Sequence, residues 1–144
     1  MPKKLFFCIF FACLGITTEI CFVAFTNLFN NTPFCGEPLW SLTGKTYVWM
    51  LPIYTLIPFF AGYLYHKIAH WQSVVRWTFY TALILSVEFV AGFILEQVTG
   101  QCPWEYTTGW HIMGYIRLDY IPAWFIFSFV VEYLYVYLDR NLKT

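Results

Sequence analysis

The sequence predicts an all-α membrane protein: four transmembrane helices in a single membrane domain over residues 1–144, arranged as a parallel internal repeat of two two-helix units. Three observations carry that expectation. First, 60% of the residues are hydrophobic and only 11% are charged, against roughly 25% charged in an ordinary soluble domain. Second, four long apolar stretches are separated by segments rich in polar residues, glycine and proline. Third, the second half of the chain repeats the layout of the first. Sixteen Phe, eleven Tyr and seven Trp suit either the headgroup level of a bilayer or tight helix contacts. Eight acidic and eight basic residues cancel, so no basic surface argues for nucleic acid as a partner.

Lys3 and Lys4 precede an apolar run over residues 5–28, long enough to cross about 30 Å of hydrocarbon at 1.5 Å per residue. A signal peptide shares that pattern, but the run exceeds the usual apolar length and carries Glu19. Residues 30–44 hold the breakers Pro33, Gly36 and Pro38 and read as a loop. A second span is expected over residues 46–65 with Pro52 and Pro58 inside it; the carbonyls they free would need neighbouring helices. A short basic connection with His66, Lys67, His70 and Arg76 leads to the third span, residues 74–95. Residues 96–119 are too polar and too glycine-rich to span. The fourth helix is expected to start near Pro122, where a missing N–H costs nothing, and to end near Leu138.

Counting Lys and Arg beside the spans gives an orientation. The N-terminus, the connection and the tail hold Lys3, Lys4, Lys67, Arg76, Arg140 and Lys143, and the two longer loops hold Lys45 and Arg117. Both termini are therefore expected in the cytoplasm, in a cytoplasmic (inner) membrane. Cys8, Cys13 and Cys21 read as small hydrophobes within the first span. Cys35 and Cys102 lie in the two loops, where an oxidising compartment would permit a disulfide.

The repeat is read from offsets. Glu19 and Glu88 are 69 apart, Cys35 and Cys102 67, Glu37 and Glu105 68, Gly44 and Gly114 70, and Pro52 and Pro122 70, with Tyr54 and Trp124 following the prolines. Each half, about 5–65 and 74–138, is then a helix with a Glu, a Cys-and-Glu turn, a Gly-bearing loop and a Pro-aromatic helix. Two spans per unit make the repeat parallel.

Three carboxylates fall inside predicted spans: Glu19, Glu88 and Glu132. A mid-membrane acid costs roughly 2.5–3.5 kcal/mol on insertion scales and usually faces a bundle interior or a water-filled cavity. Gly15, Gly92 and Ser128 each stand one turn away, where small side chains admit a close neighbour. With no basic residue read in the middle of any span, at least one of these acids is expected to be protonated near neutral pH. They offer a substrate or proton pathway, or they are protonated groups that bond helices together. The outer loop adds Cys102, Trp104, Glu105, Tyr106, His111, Arg117 and Asp119. Trp104 and Tyr106 read as interfacial anchors; Glu105 and His111 with Arg117 and Asp119 read as a polar mouth, with a local Arg117–Asp119 ion pair as the alternative. His66 and His70 are one turn apart but lack a third ligand, so no metal site and no cofactor are expected. The chain has no phosphate-binding GxxxxGK[ST] loop, Glu-x-x-His pair, CxxC, HExxH or GxSxG motif, which leans the reading away from an enzyme.

The segments VEFVAG (87–92), CPWEY (102–106) and GYIRLDYIPAWF (114–125), with Glu132, Gly15, Glu19 and LTGKTYVWMLPIY (42–54), resemble a family of small four-span proteins. It is labelled ABC-transporter type IV, or CmpB-like, in bacteria, and in vertebrates includes the transmembrane protein 229 group. The resemblance covers most of the chain and implies a polytopic membrane protein of unestablished activity. Relatives carry an acid where this chain has Gly62, the repeat partner of Glu132, so a mechanism with two symmetric acid pairs does not transfer. The leading functional expectation is permease-like transport of a small polar or lipid-derived solute. A lipid-acting membrane enzyme and a non-catalytic adaptor are the alternatives. The expected partners are the bilayer and further copies of the chain, or a larger membrane complex.

Overall fold

The structure is a computed structural model and describes residues 2–30, 36, 38 and 41–142. Cys35, Glu37 and Lys143 lie outside the described residues, and with them the proposed Cys35–Cys102 pairing and two of the repeat offsets. Among the described residues the chain forms four α-helices: α1 (Lys3–Phe29), α2 (Met50–Ile68), α3 (Ser73–Thr99) and α4 (Ile121–Asn141). Between α3 and α4 lie two short strands, β1 (His111–Ile112) and β2 (Ile116–Arg117), and a 3-10 turn, Leu118–Tyr120.

Three of the helical segments, Lys3–Phe29, Ser73–Thr99 and Leu118–Asn141, are long and apolar enough to cross a membrane. At 1.5 Å per residue the 27 residues of α1 reach about 40 Å. Large apolar side chains such as Phe25, Phe60, Val90, Phe93 and Phe129 are exposed, a surface that fits lipid and not water. α2 does not meet the same standard. Its 19 residues include Pro52, Pro58 and the His66–Lys67 pair, which dilute its apolar character.

The boundaries follow local chemistry. α2 begins at Met50 and not near Thr46, so Pro52 sits in its first turn, where no N–H is required. Pro58 is inside the helix, where its missing N–H removes one helical hydrogen bond. Pro122 likewise occupies the first turn of α4. α3 runs on to Thr99 and stops at Gly100, whose φ of 80° and N–H bond to the Glu96 carbonyl make a left-handed cap.

The chain divides into two compact units, Met1–Phe60 and Ala61–Lys143. In the first, α1 buries Phe7, Phe11, Ala12, Gly15 and Ala24. Gly15 gives way to the ring of Tyr54, which would overlap any Cβ placed there. Gly44 lies against the carbonyl of Ile20, and Asn27 donates to the Thr43 carbonyl at 3.4 Å, so the segment leading to α2 runs along α1.

In the second unit α3 packs on α4. The Thr81 and Ser128 hydroxyls share a hydrogen bond of 3.3 Å, and Trp77 meets Phe125 and Phe129 edge-on. Gly62 lies beneath the Tyr135 hydroxyl, which a Cβ would displace. The hairpin β1–β2 is antiparallel, with His111 opposite Arg117 and Ile112 opposite Ile116. The sequence reading has only a polar loop here. Met113 and Gly114 both take positive φ, 52° and 77°, and Tyr115 N–H bonds the Ile112 carbonyl at 3.0 Å, as a tight hairpin turn requires.

Replacing Gly15 by Ala is expected to force Tyr54 aside at a cost of about 1–3 kcal/mol. Thermal unfolding in detergent micelles reads that loss, and the further change Tyr54→Leu should recover part of it.

Candidate functional site

Each of the three helix-borne carboxylates meets a different set of donors. Glu132, on α4, is met by Arg76 from the first turn of α3. Arg76 Nε lies 2.9 Å from Oε2 and Nη2 2.6 Å from Oε1, a fork-on-fork arrangement that adds geometric specificity to charge. The two side chains are 11% and 9% exposed. The spare Arg76 nitrogen donates to the carbonyls of Trp71 at 2.6 Å and Ala69 at 3.3 Å, and the Trp77 indole N–H reaches Glu132 at 3.3 Å. The Tyr80 hydroxyl is buried without a hydrogen-bond partner among the described residues. The expectation that no basic residue meets the span carboxylates is therefore corrected for Glu132. α3 and α4 pack antiparallel, and this brings Arg76, near the start of α3, level with Glu132 deep in α4.

Glu19, on α1, accepts hydrogen bonds from two hydroxyls, Thr46 at 2.9 Å and Tyr54 at 3.0 Å. Both donors come from the segment that enters α2 and from its first turns. Gly15 allows this, since the Tyr54 ring crosses α1 there before its hydroxyl reaches the carboxylate one turn on.

Glu88, on α3, is 9% exposed and accepts a hydrogen bond of 2.9 Å from the Tyr106 hydroxyl. Tyr106 belongs to the Cys-Pro-Trp-Glu-Tyr turn, which folds back over α3. Its backbone N–H bonds the Gly114 carbonyl at 2.9 Å, so the hairpin holds it in place. Its ring meets Tyr120 edge-on with centroids 5.9 Å apart, and the Arg117 guanidinium lies 6.0 Å from its centroid. A continuous set of side chains thus runs from the loop surface to a buried carboxylate.

Two further residues of the turn are interior. Cys102 and Trp104 are buried, and the Trp104 indole donates to the Tyr115 carbonyl at 3.1 Å. Gly92 makes room: a Cβ there would stand 3.3 Å from the Trp104 nitrogen and from Tyr115, and 3.4 Å from the Cys102 sulfur. Tyr115 donates to the Glu96 carboxylate; that bond, with burial, pushes the phenol up to about 12. Burial likewise pushes the Cys102 thiol up, which holds it as an inert thiol at neutral pH. Trp104 and Tyr106, read from sequence as interfacial anchors, instead turn inward.

Of the four residues read as a polar mouth, Arg117 and Asp119 pair with each other, Nε to Oδ1 at 3.0 Å. Glu105 and His111 are exposed, and neither side chain bonds Arg117 or Asp119 among the described residues. Arg76, Thr46, Tyr54 and Tyr120 were not read from the sequence as partners of the acids. For Arg76 a signal existed, because it is flanked on both sides by apolar residues of the same helix and cannot reach bulk water from every face. Among the described residues no group of three or more His, Cys, Asp or Glu is placed to hold a metal ion.

Chemically, the three acids differ in what they can do. Glu132 is neutralised by a fixed cation; Glu19 and Glu88 are met by hydroxyls, which satisfy a carboxylate or a carboxylic acid. Removing one member of a buried ion pair leaves an uncompensated charge, so Glu132→Ala or Arg76→Ala is expected to cost about 3–5 kcal/mol. The double change Arg76→Leu with Glu132→Leu should lose much less, a non-additivity that a double-mutant cycle on thermal stability in micelles measures. No family model matches the sequence, and no solved structure matches the fold.

Proposed function

We propose that the protein is a permease-like membrane protein that passes a small polar or lipid-derived solute, with Glu88 as the carboxylate that meets the solute or its coupled proton. The observation that carries this reading is the Tyr106–Glu88 hydrogen bond, which joins a buried acid on an apolar helix to a loop whose other face is open. An ionisable group at membrane depth is costly and is usually retained for function. Glu132 has a structural explanation in Arg76, whereas Glu88 is met by a neutral group that bonds it in either protonation state. A phenol that rotates away exposes the carboxyl; one that stays keeps it closed.

The wider reading places four spans in an inner membrane with both termini cytoplasmic, so that the Cys102–Asp119 loop is external and Tyr106 is an external gate. One feature supports a duplicated origin: Pro52 and Pro122 both lie in the first turns of their helices. A chain of this size is expected to work as a homo-oligomer or within a larger membrane complex.

The test is proton flux into proteoliposomes loaded with a pH-sensitive dye, under an imposed pH gradient. Glu88→Gln is expected to lower the flux at least about tenfold, equivalent to about 1.4 kcal/mol in the barrier, while the thermal unfolding midpoint stays near that of the wild type. Flux equal to the wild type in Glu88→Gln would rule the reading out.

A further inference from the structure

Arg117 is held in the way a bound ligand is held. Its guanidinium makes a two-point contact with Asp119, with Nε to Oδ1 at 3.0 Å and Nη2 to the second oxygen. Nη1 donates to the Tyr120 hydroxyl at 2.9 Å. The guanidinium carbon lies 4.2 Å from the Tyr120 ring centroid and 6.0 Å from that of Tyr106, distances at which an aromatic face attracts a cation. A third wall is backbone: Gly109 takes a φ of +78°, and a Cβ there would come within 2.6 Å of Nη2. The guanidinium side chain is only 19% exposed. An Arg and an Asp two residues apart on a surface gain little from pairing, and such a pair needs neither two aromatic walls nor a glycine.

We propose that Tyr106, Tyr120, Asp119 and the Gly109 backbone form a binding site for a small organic cation of the guanidinium or alkylammonium class, in which Arg117 is the resident occupant and an incoming cation displaces it. Asp119 supplies the charge and a fork of two oxygens, the rings supply cation–π faces, and the glycine supplies a flat floor. The inference rests on the reading of Glu88 as the solute-facing acid, because Tyr106 walls the site on one side and bonds Glu88 on the other. A cation that replaces Arg117 is therefore one side chain away from the buried carboxylate. Planar guanidinium matches the two oxygens of Asp119, while a primary ammonium presents a compact charge to them, so the site ranks guanidinium ions first.

The experiment is calorimetric binding of methylguanidinium to the full chain in micelles, with methylammonium as the second probe. Arg117→Ala is expected to bind methylguanidinium at least about tenfold more tightly than the wild type, and about tenfold more tightly than methylammonium. Adding Asp119→Asn or Tyr120→Leu to Arg117→Ala should abolish the gain. Arg117→Met, which keeps the apolar stem and so guards the loop against collapse, should show the same gain, and size-exclusion profiles establish which variants are folded. A folded Arg117→Ala or Arg117→Met protein with no gain would overturn the proposal, as would a gain that survives Asp119→Asn. The two readings separate cleanly. Flux that is unchanged in Glu88→Gln, with the methylguanidinium gain present in Arg117→Ala, removes the transport reading and keeps the site; flux lost in Glu88→Gln with no such gain removes the site and keeps the transport reading.

Discussion

A carboxyl group carried on an apolar helix has to be met by donors, because lipid offers none and an unmet charge in that setting is among the costliest groups a protein can hold. Much of the described structure is arranged around that constraint. Arg76 forks onto Glu132 and in doing so ties the start of α3, the preceding turn and the middle of α4 into one knot. Thr46 and Tyr54 reach Glu19, which lays the segment before α2 along α1. Tyr106 reaches Glu88, which folds the loop after α3 back onto that helix. In each case the polar bond explains a stretch of tertiary structure that apolar packing alone would leave unspecified, since one lipid-facing helix surface is much like another.

The donors also divide the acids by capacity. A guanidinium forks onto its carboxylate in a fixed two-point contact, which suits a clamp. A phenol or hydroxyl can bond its partner whether or not that partner holds a proton. Glu88 combines this with a loop whose ordered elements bear on the site: the hairpin that positions Tyr106, the glycine that admits Arg117, and the glycine in α3 that admits Trp104 and Tyr115. The cluster of Tyr106, Tyr120, Arg117 and Asp119 is then the surface end of an arrangement whose buried end is Glu88.

Much of the helical frame was legible in the sequence because long apolar runs and helix-breaking residues report backbone state directly. Pro122 marked the start of α4 to within a residue; α3 overran its expected end because Gly100, not the first polar residue, stops it. α2 was read four residues early, since Thr46–Trp49 is as apolar and aromatic as the helix it precedes and only the Pro52 position argued otherwise. The hairpin was illegible because its strands are two residues each and its turn residue Met113 carries no glycine-like signal. The helix-borne acids were singled out by their oddity in apolar runs, and Arg117 and Asp119 as charges in the polar loop before α4. Their partners were not found: Arg76 was counted as a topological charge, and Tyr106 as an interfacial aromatic. Pairing is a property of how helices come level with one another, and sequence spacing does not carry it between helices.

The central claim is that Glu88, and not Glu132, is the carboxyl group that exchanges. The most direct measurement is infrared difference spectroscopy of the carboxyl band in a reconstituted bilayer, recorded between acidic and alkaline buffer for the wild type, Glu88→Gln and Glu132→Gln. The account expects a pH-dependent carboxyl band that is lost in Glu88→Gln and kept in Glu132→Gln. A band that survives in Glu88→Gln and vanishes in Glu132→Gln would contradict it, and would make the Arg76 ion pair the working site.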